Sequence, residues 1–558
     1  MARFSLLHAF TLLSTALLAA GGPPTRCKCL YRQTCWPSQQ AFDALQSQLS
    51  QPLLHPKPIP FPCYRGGNAS NACQDIRDHF TEGLWRADIP GVMQHNNFNA
   101  FIFPNNTISK CPLNPTNGET CEQGSVPPIG VDAHSPKDVQ EALRFAKQYN
   151  LKLVIHNTGH DFLGRSAGRG GFMIWTHRLK DITFHDSFVP LNQPGNAGVE
   201  AVTLGAGVQW TEAYTAVHAR GKTIVGGIST NGTVGAAGGW ILGGGHSALT
   251  PTFGFGVDNV LEFKVVAANG KFITVNAQSN PRLFWALRGG GGGTFGVVTS
   301  VTYKLHPKVP VSGLFIIANL HEPGTRPTNR DGIRPNSPNA VRQGVGRLRK
   351  LLCDLGLVDF LGRAERVSSR GQLLNATAPF DSFFDWYDFI FAQASSQVGV
   401  AIEISSRLLS KDTALNRPEE VAKTLLSLPR GVAFNSVAGG AASRIDPAST
   451  AFHPAWRRAI AEVAISEPVD PENTPVETVR AAQDRLKAST KLLDTITTDS
   501  AAYYNEATLH EVDFRKSFWG PNYPKLKEIK NQYDPTSLFV VARGVGSEEW
   551  DAELNCRK

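Results

Sequence analysis

The chain has 558 residues, 41% of them apolar and 18% charged, with a net charge of +8. That length exceeds one ordinary core and predicts two or more domains, while the ordinary apolar content fits a globular protein. Lys and Arg are scattered, not gathered into a block interleaved with aromatics, which argues against nucleic acid as a partner.

Residues 1–20 read as a secretory signal peptide: Arg3, an apolar stretch from Phe4 to Leu18, then Ala19-Ala20-Gly21, with cleavage expected near Ala20. The stretch is short for a membrane span, and no later segment is long and apolar enough to cross a bilayer. The expected destination is outside the cell or the lumen of the secretory pathway. Residues 21–125 form a Cys-rich segment with a helical stretch at 38–50. Seven of nine cysteines lie before residue 122 (Cys27, Cys29, Cys35, Cys63, Cys73, Cys111 and Cys121), whereas Cys353 and Cys556 stand alone. In an exported protein such clustering predicts disulfides. The odd total leaves at least one thiol free or paired between chains, and the connectivity stays open. Sequons at Asn68, Asn105, Asn231 and Asn375 are candidate glycan sites, Asn231 lying inside a glycine-rich loop.

Ser135-Pro136-Lys137-Asp138 reads as a helix start, with Ser as cap, Pro as first helical residue and Asp138 closing a capping box. Val139, Leu143, Ala146 and Tyr149 give that helix an apolar side. Residues 151–155 are a strand leading into His160. Between 172 and 305 short strands and helices alternate: a strand at 202–207, a helix at 211–220, a hairpin of 260–267 and 271–275 across Asn269-Gly270, a helix at 281–288 and a strand at 297–305. This is an α+β pattern. Segment 321–370 holds ten basic residues against five acidic ones and reads equally as an exposed insertion, a lid or a gene-model error. A helix at 475–494 follows. Residues 522–540 form a helix with a Tyr-Asp-Pro stop, where the chain re-enters the first domain.

The chemistry concentrates in three glycine-dense turns. They are Asn157-Thr158-Gly159-His160, the run from Gly235 to Gly245, and Gly289 to Gly293 with Thr294-Phe295-Gly296. Glycine tolerates positive φ and lets backbone N–H groups approach phosphate oxygens. No Walker pattern is present, and no Gly-x-Gly-x-x-Gly follows the first strand. Phosphates are therefore expected to sit on turns from several segments. The set describes a backbone shaped around a large flat dianionic cofactor, with one nucleophile, His160, beside it.

On these motifs the chain resembles the vanillyl-alcohol-oxidase and berberine-bridge-enzyme family of FAD-linked oxidoreductases, in particular its secreted fungal branch. The matching stretches are Asn157 to Ser166, Thr233-Val234-Gly235 with Gly238-Gly239 and Gly243-Gly244-Gly245, Phe284 to Gly293, Tyr503-Tyr504-Asn505-Glu506, and Asn522 to Pro535. The resemblance covers 130–305 and 500–550 strongly and the middle third poorly. It implies an α+β fold with a two-subdomain, PCMH-type FAD-binding domain (126–308). A substrate domain with an antiparallel sheet flanked by helices follows (309–500), then a C-terminal segment (501–558) returning to the FAD domain. It implies FAD bound covalently through His160, a neutral imidazole being a nucleophile toward the 8α-methyl group. It places Asn157, Thr158, Gly159, Asp161, Gly164, Arg165, Ser166, Gly235, Gly238, Gly239, Gly244 and Val298 around the cofactor. No cysteine lies between Cys121 and Cys353, so a second, cysteinyl link is not expected.

The flavin accepts hydride at N5 while the protein removes a proton. Tyr503, Asn505 and Glu506 are the candidate catalytic residues. Tyr503 acts as base only if its pKa, normally about 10, is depressed. His156, His177, His246 and His510 are expected to be structural, and their spacing suggests no metal site. The leading reading is an oxidase acting on a small-molecule alcohol or C–H substrate with O2 as acceptor and H2O2 as product. The alternatives are an oxidative cyclase or dehydrogenase of secondary metabolism with poor O2 use, or a non-catalytic secreted binding protein. The aromatic patch Phe380 to Phe391 reads as core or as a lipophilic substrate wall. The oligomeric state is open.

Overall fold

The computed structural model describes residues 27–65, 70–116, 118–193, 195, 197–318, 373–392, 398–497 and 499–558. The expected signal peptide, the Asn68 sequon, segment 321–370 and Cys353 lie outside the described residues. Among the described residues no helix is long and apolar enough to cross a membrane.

The first sheet has four strands: β1 (Leu53–Leu54), β2 (Ile129–Asp132), β3 (Leu153–His156) and β4 (Phe172–Trp175), in the order β1-β2-β4-β3. The three longer strands are parallel, and β1 pairs antiparallel at the edge. Parallel neighbours need a crossover, and helix α1 (Pro136–Gln148) supplies it between β2 and β3. Ser135 Oγ accepts from Asp138 N (3.3 Å), as its sequence predicts. The Asp138 carboxylate takes Ser135 Oγ–H and His134 N–H rather than the Ser135 N–H of a full capping box, and it also takes both donors of Ser50. One acidic side chain thus caps the helix and ties the Cys-rich segment to it. Val139, Leu143 and Ala146 are fully buried against Phe172 and Ile174.

The second sheet is antiparallel throughout. Its strands are β5 (Ile182–Phe188), β6 (Val199–Gly205), β7 (Val260–Val266), β8 (Phe272–Val275) and β9 (Val297–Lys304), in the order β8-β7-β9-β6-β5. The expected hairpin is β7-β8. The third sheet, β10 (Ile402–Ser410), β11 (Val432–Asn435) and β12 (Ala459–Pro468), is antiparallel with β12 central. Helix α2 (Val476–Asp494) covers it, burying Leu486 and Leu493 against Leu409, Val463 and Ile465. An antiparallel sheet flanked by helices is what the resemblance implied for this region.

Eight cysteines pair as Cys27–Cys556, Cys29–Cys35, Cys63–Cys73 and Cys111–Cys121. Cys556, isolated in sequence, closes onto the first described residue. The C-terminal segment packs on the third glycine turn: Trp519 Nε1 donates to Gly289 O (3.0 Å) and Lys530 Nζ to Thr294 O (2.7 Å). It also holds the third sheet, because buried Arg407 on β10 donates to both oxygens of Glu511 (3.0 Å each) and to Asp494 (2.6 Å). Phe383 and Tyr387 of the aromatic patch are buried against Tyr214, so this part of the patch is core.

Candidate active site

Strand β3 ends at His156, whose Nδ1 donates to the Ser166 carbonyl (2.8 Å) and so folds residues 157–166 into a closed turn. Asp161 fills that turn, accepting from Leu163 N (3.1 Å), Ser166 N (2.8 Å) and Arg165 Nε (2.8 Å). Gly159 has φ +80°, and a Cβ there would stand 2.4 Å from Val92 O. Only glycine meets both demands. The outer side of the turn is gripped by the Cys-rich segment: Gln94 Nε2 donates to Thr158 O (3.0 Å) and Gly83 O (3.0 Å), and Gln94 N donates to Gly159 O (3.1 Å). Nothing in the spacing of residues 83–96 announces this role.

A cleft runs between the first two sheets. Its lining includes Asn157, Thr158, Gly159, His160, Asp161, Arg165, Ser166, Gly235, Gly238, Gly239 and Val298, all anticipated from the sequence. Gly164 and Gly244 stand apart from it. A Cβ at Gly164 would face Phe98 and one at Gly244 would meet Phe452, so both serve packing. Thr176, Ala206, Trp240, Gly292 and Gly293 also line the cleft and were not assigned; the two glycines belong to the third glycine turn, and the other three carry no sequence signal.

The residues fit FAD. Asn157 Nδ2 is spent on Thr176 Oγ1 (2.9 Å) and Ala206 O (2.6 Å), while its Oδ1 is buried without a partner in the cleft wall. A buried amide oxygen left this way calls for a donor. A Cβ at Gly235 would sit 2.2 Å from that oxygen, so the wall is cut back to backbone there.

His160 Nε2 lies 2.6 Å from Thr233 Oγ1. Burial, with His95 and the buried Arg86 guanidinium behind it, pushes the imidazole down to about 3. It is neutral at physiological pH, the state nucleophilic attack requires.

Arg165 links this turn to the catalytic candidates. It donates to Asn505 Oδ1 (3.1 Å) and lies over the Tyr504 ring (4.3 Å). Asn505 Nδ2 donates to Gly239 O (2.8 Å) and to the Tyr503 hydroxyl oxygen (2.9 Å). Burial, then Glu506, pushes the Tyr503 phenol well above its ordinary value. The depression that a tyrosine base needs is not supplied by the neighbours; they do the opposite.

Beside Tyr503 the structure gathers a group the sequence did not. His246 Nε2 is 3.1 Å from Glu506 Oε1 and 3.5 Å from Glu462 Oε2, and its ring meets that of Tyr503 edge-on at 4.7 Å. Glu462 is fully buried on β12 and its Oε1 has no partner. Burial first, then Glu506, lifts its carboxyl to about 8. For His246, burial is outweighed by the Glu506 hydrogen bond and by Glu462, which raise it. One donor atom from each of the three lies within 4.8 Å of the others, a spacing a divalent cation could also bridge, where sequence spacing suggested no metal site. Protons suffice to balance it: a carboxyl at about 8 keeps its proton at neutral pH. His156, by contrast, props the turn, and His177 pairs with Asp88 (2.9 Å).

A glycine-walled cleft with a neutral histidine on the turn after a strand, and a tyrosine–asparagine–glutamate face beyond it, defines an FAD-dependent oxidoreductase. Residues 127–276 match the FAD binding domain family and residues 502–546 the berberine and berberine like family. The chain belongs to the FAD-linked oxidoreductases of the vanillyl-alcohol-oxidase and berberine-bridge type. It is 36% identical to an uncharacterized FAD-linked oxidoreductase of Arthroderma benhamiae over 97% of both chains. It is 33% identical to FAD-linked oxidoreductase ZEB1 of Gibberella zeae, covering 97% of this chain and 96% of that one. The VAO-type flavoprotein MtVAO615 of Myceliophthora thermophila C1 has a similar structure, with a TM-score of 0.78 at 28% identity over 95% of this chain and 100% of that one.

Proposed function

We propose that the protein is an oxidase that carries FAD covalently on His160 and removes two electrons from an alcohol or activated C–H of a small secondary-metabolite substrate. When bound, FAD accepts hydride at N5 and passes the electrons to O2, giving H2O2. The observation that carries the reading is the neutral His160 imidazole facing a glycine-walled cleft. Arg165, Asn505 and Tyr503 form one hydrogen-bonded line from the histidyl turn to the substrate side and fix the orientation of the phenol. Glu506, in contact with His246 and backed by Glu462, receives the substrate proton as hydride leaves. Four disulfides and the leader-like N-terminus support export, and exposed Asn105 is the sequon best placed for a glycan.

The test is acid precipitation of the purified protein. Yellow colour in the pellet supports the covalent reading, and yellow in the supernatant defeats it. His160→Ala should move all the colour to the supernatant; flavin still bound to the denatured variant would show that the attachment is elsewhere.

A further inference from the structure

Thr233 is wholly buried, yet its hydroxyl faces a cleft residue and no other side chain contests it. Two left-handed residues, Asn231 (φ 56°) and Gly232 (φ 60°), bring the chain to it. Its carbonyl is held by Gln209 Nε2 (3.2 Å). Across from it Gly83 leaves no slack: even a Cβ there would come 3.0 Å from both Thr233 Cγ2 and Oγ1. A β-branched side chain walled in on its far side has essentially one rotamer, and here that rotamer aims the hydroxyl at His160 Nε2.

A neutral imidazole carries one N–H, and which nitrogen holds it is decided by the partner of the other ring position. Among the described residues His160 Nδ1 has no hydrogen-bond partner, whereas Nε2 has Thr233. We propose that Thr233 is the positioning residue for flavin attachment: it takes the Nε2–H of His160, leaves the Nδ1 lone pair facing the cleft, and so selects Nδ1 as the linking atom. This rests on the covalent reading above.

In the attachment, a C–N bond replaces one C–H of the 8α-methyl group and one N–H of the imidazole. The two electrons and two protons released end on O2 as H2O2. Once Nδ1 is alkylated, the Nε2 proton is the one lost, and Nε2 becomes an acceptor. A hydroxyl serves both stages because it accepts before the bond forms and donates afterwards. A carboxylate could only accept, and an ammonium could only donate. The role therefore asks for Ser or Thr, and packing against Gly83 favours the branched residue.

The experiment is apo-protein loaded with FAD, followed by the acid-precipitable flavin fraction over time. Peptide spectroscopy then identifies the linked nitrogen. Wild type should link through Nδ1. Thr233→Val should bind FAD yet attach it at least about tenfold more slowly, the usual scale for removing the partner that orients an imidazole. Thr233→Ser should restore the rate. Attachment at the wild-type rate in Thr233→Val, or a wild-type linkage through Nε2, overturns the proposal. Should Thr233→Val fail to take up FAD, Thr233→Ser is compared with Thr233→Ala, where equal rates overturn it. A wild-type protein that releases all its FAD in acid defeats the covalent reading itself, a separate and distinguishable result.

Discussion

Glu462→Gln is the substitution that separates the cost of the buried carboxyl from its use. In the wild type the Glu462 carboxyl titrates at about 8 when folded, against an ordinary value of 4.5. Between those pH values the folded state holds a proton that the unfolded state has released, so stability falls as pH rises, by about 1.4 kcal/mol per pH unit. Across the whole window this amounts to roughly 4–5 kcal/mol. His246, raised above 6.5, adds a term of the same sign: its contribution is complete below 6.5 and is lost as pH climbs through its folded value. Glutamine keeps the shape and cannot ionise. The variant should therefore match the wild type near pH 5 and become more stable than it toward pH 8. Thermal unfolding at a fixed scan rate, read as variant minus wild type from pH 5 to 8, cancels the titrating groups that do not interact with Glu462. The same variant should reduce its flavin within about tenfold of the wild-type rate at pH 7, where glutamine copies the protonated carboxyl. Parallel stability curves for the two proteins would refute the assignment of Glu462 as a buried acid, and a loss of about 10²-fold or more in reduction rate at pH 7 would show that it works as an ionised base.

Tyr503→Phe should leave the oxidised flavin spectrum intact and slow reduction by less than about tenfold, since the raised phenol orients and does not accept the proton; a loss of about 10³ or more in rapid-mixing kinetics would reinstate it as base. Arg407→Met should destabilise the protein by about 3–5 kcal/mol, because Glu511 is left buried without its cation. Earlier proteolytic cleavage between the third sheet and the C-terminal segment would report it, and wild-type protease resistance would contradict it. Dialysis against a chelator should leave flavin reduction unchanged, as protons balance the His246–Glu462–Glu506 group; loss of rate restored by zinc would assign that group to a cation instead.

The parts legible in the sequence are those whose physics is local. Ser135-Pro136 starts a helix wherever it stands, Asn269-Gly270 turns a hairpin, and the run from Asn157 to Ser166 specifies its own closed turn through Asp161. Eleven of the thirteen anticipated cofactor positions line the cleft for that reason, and the two that do not, Gly164 and Gly244, are glycines whose space is taken by phenylalanine rings. What stayed hidden depends on segments far apart in the chain. Glu462, His246 and Glu506 come from a strand of the third sheet, a glycine turn and the C-terminal segment, and only the domain arrangement makes them neighbours. One signal was available: Glu462 interrupts Ala459-Ile460-Ala461 and Val463-Ala464-Ile465, and a lone carboxylate in so apolar a strand asks for a reason. The grip of Gln94 on Thr158 and Gly159 left none, because an amide bonding to backbone needs no partner side chain and hence no pattern.

The Cys27–Cys556 bridge makes the described chain a closed ring in covalent terms, joining positions 529 residues apart. During synthesis Cys27 emerges 529 residues ahead of its partner, so closure waits until Cys556 has been made. A product stopped short of residue 556 cannot form this bridge. Cys27 of such a product keeps a thiol that alkylation would count, so the bridge can be read chemically copy by copy.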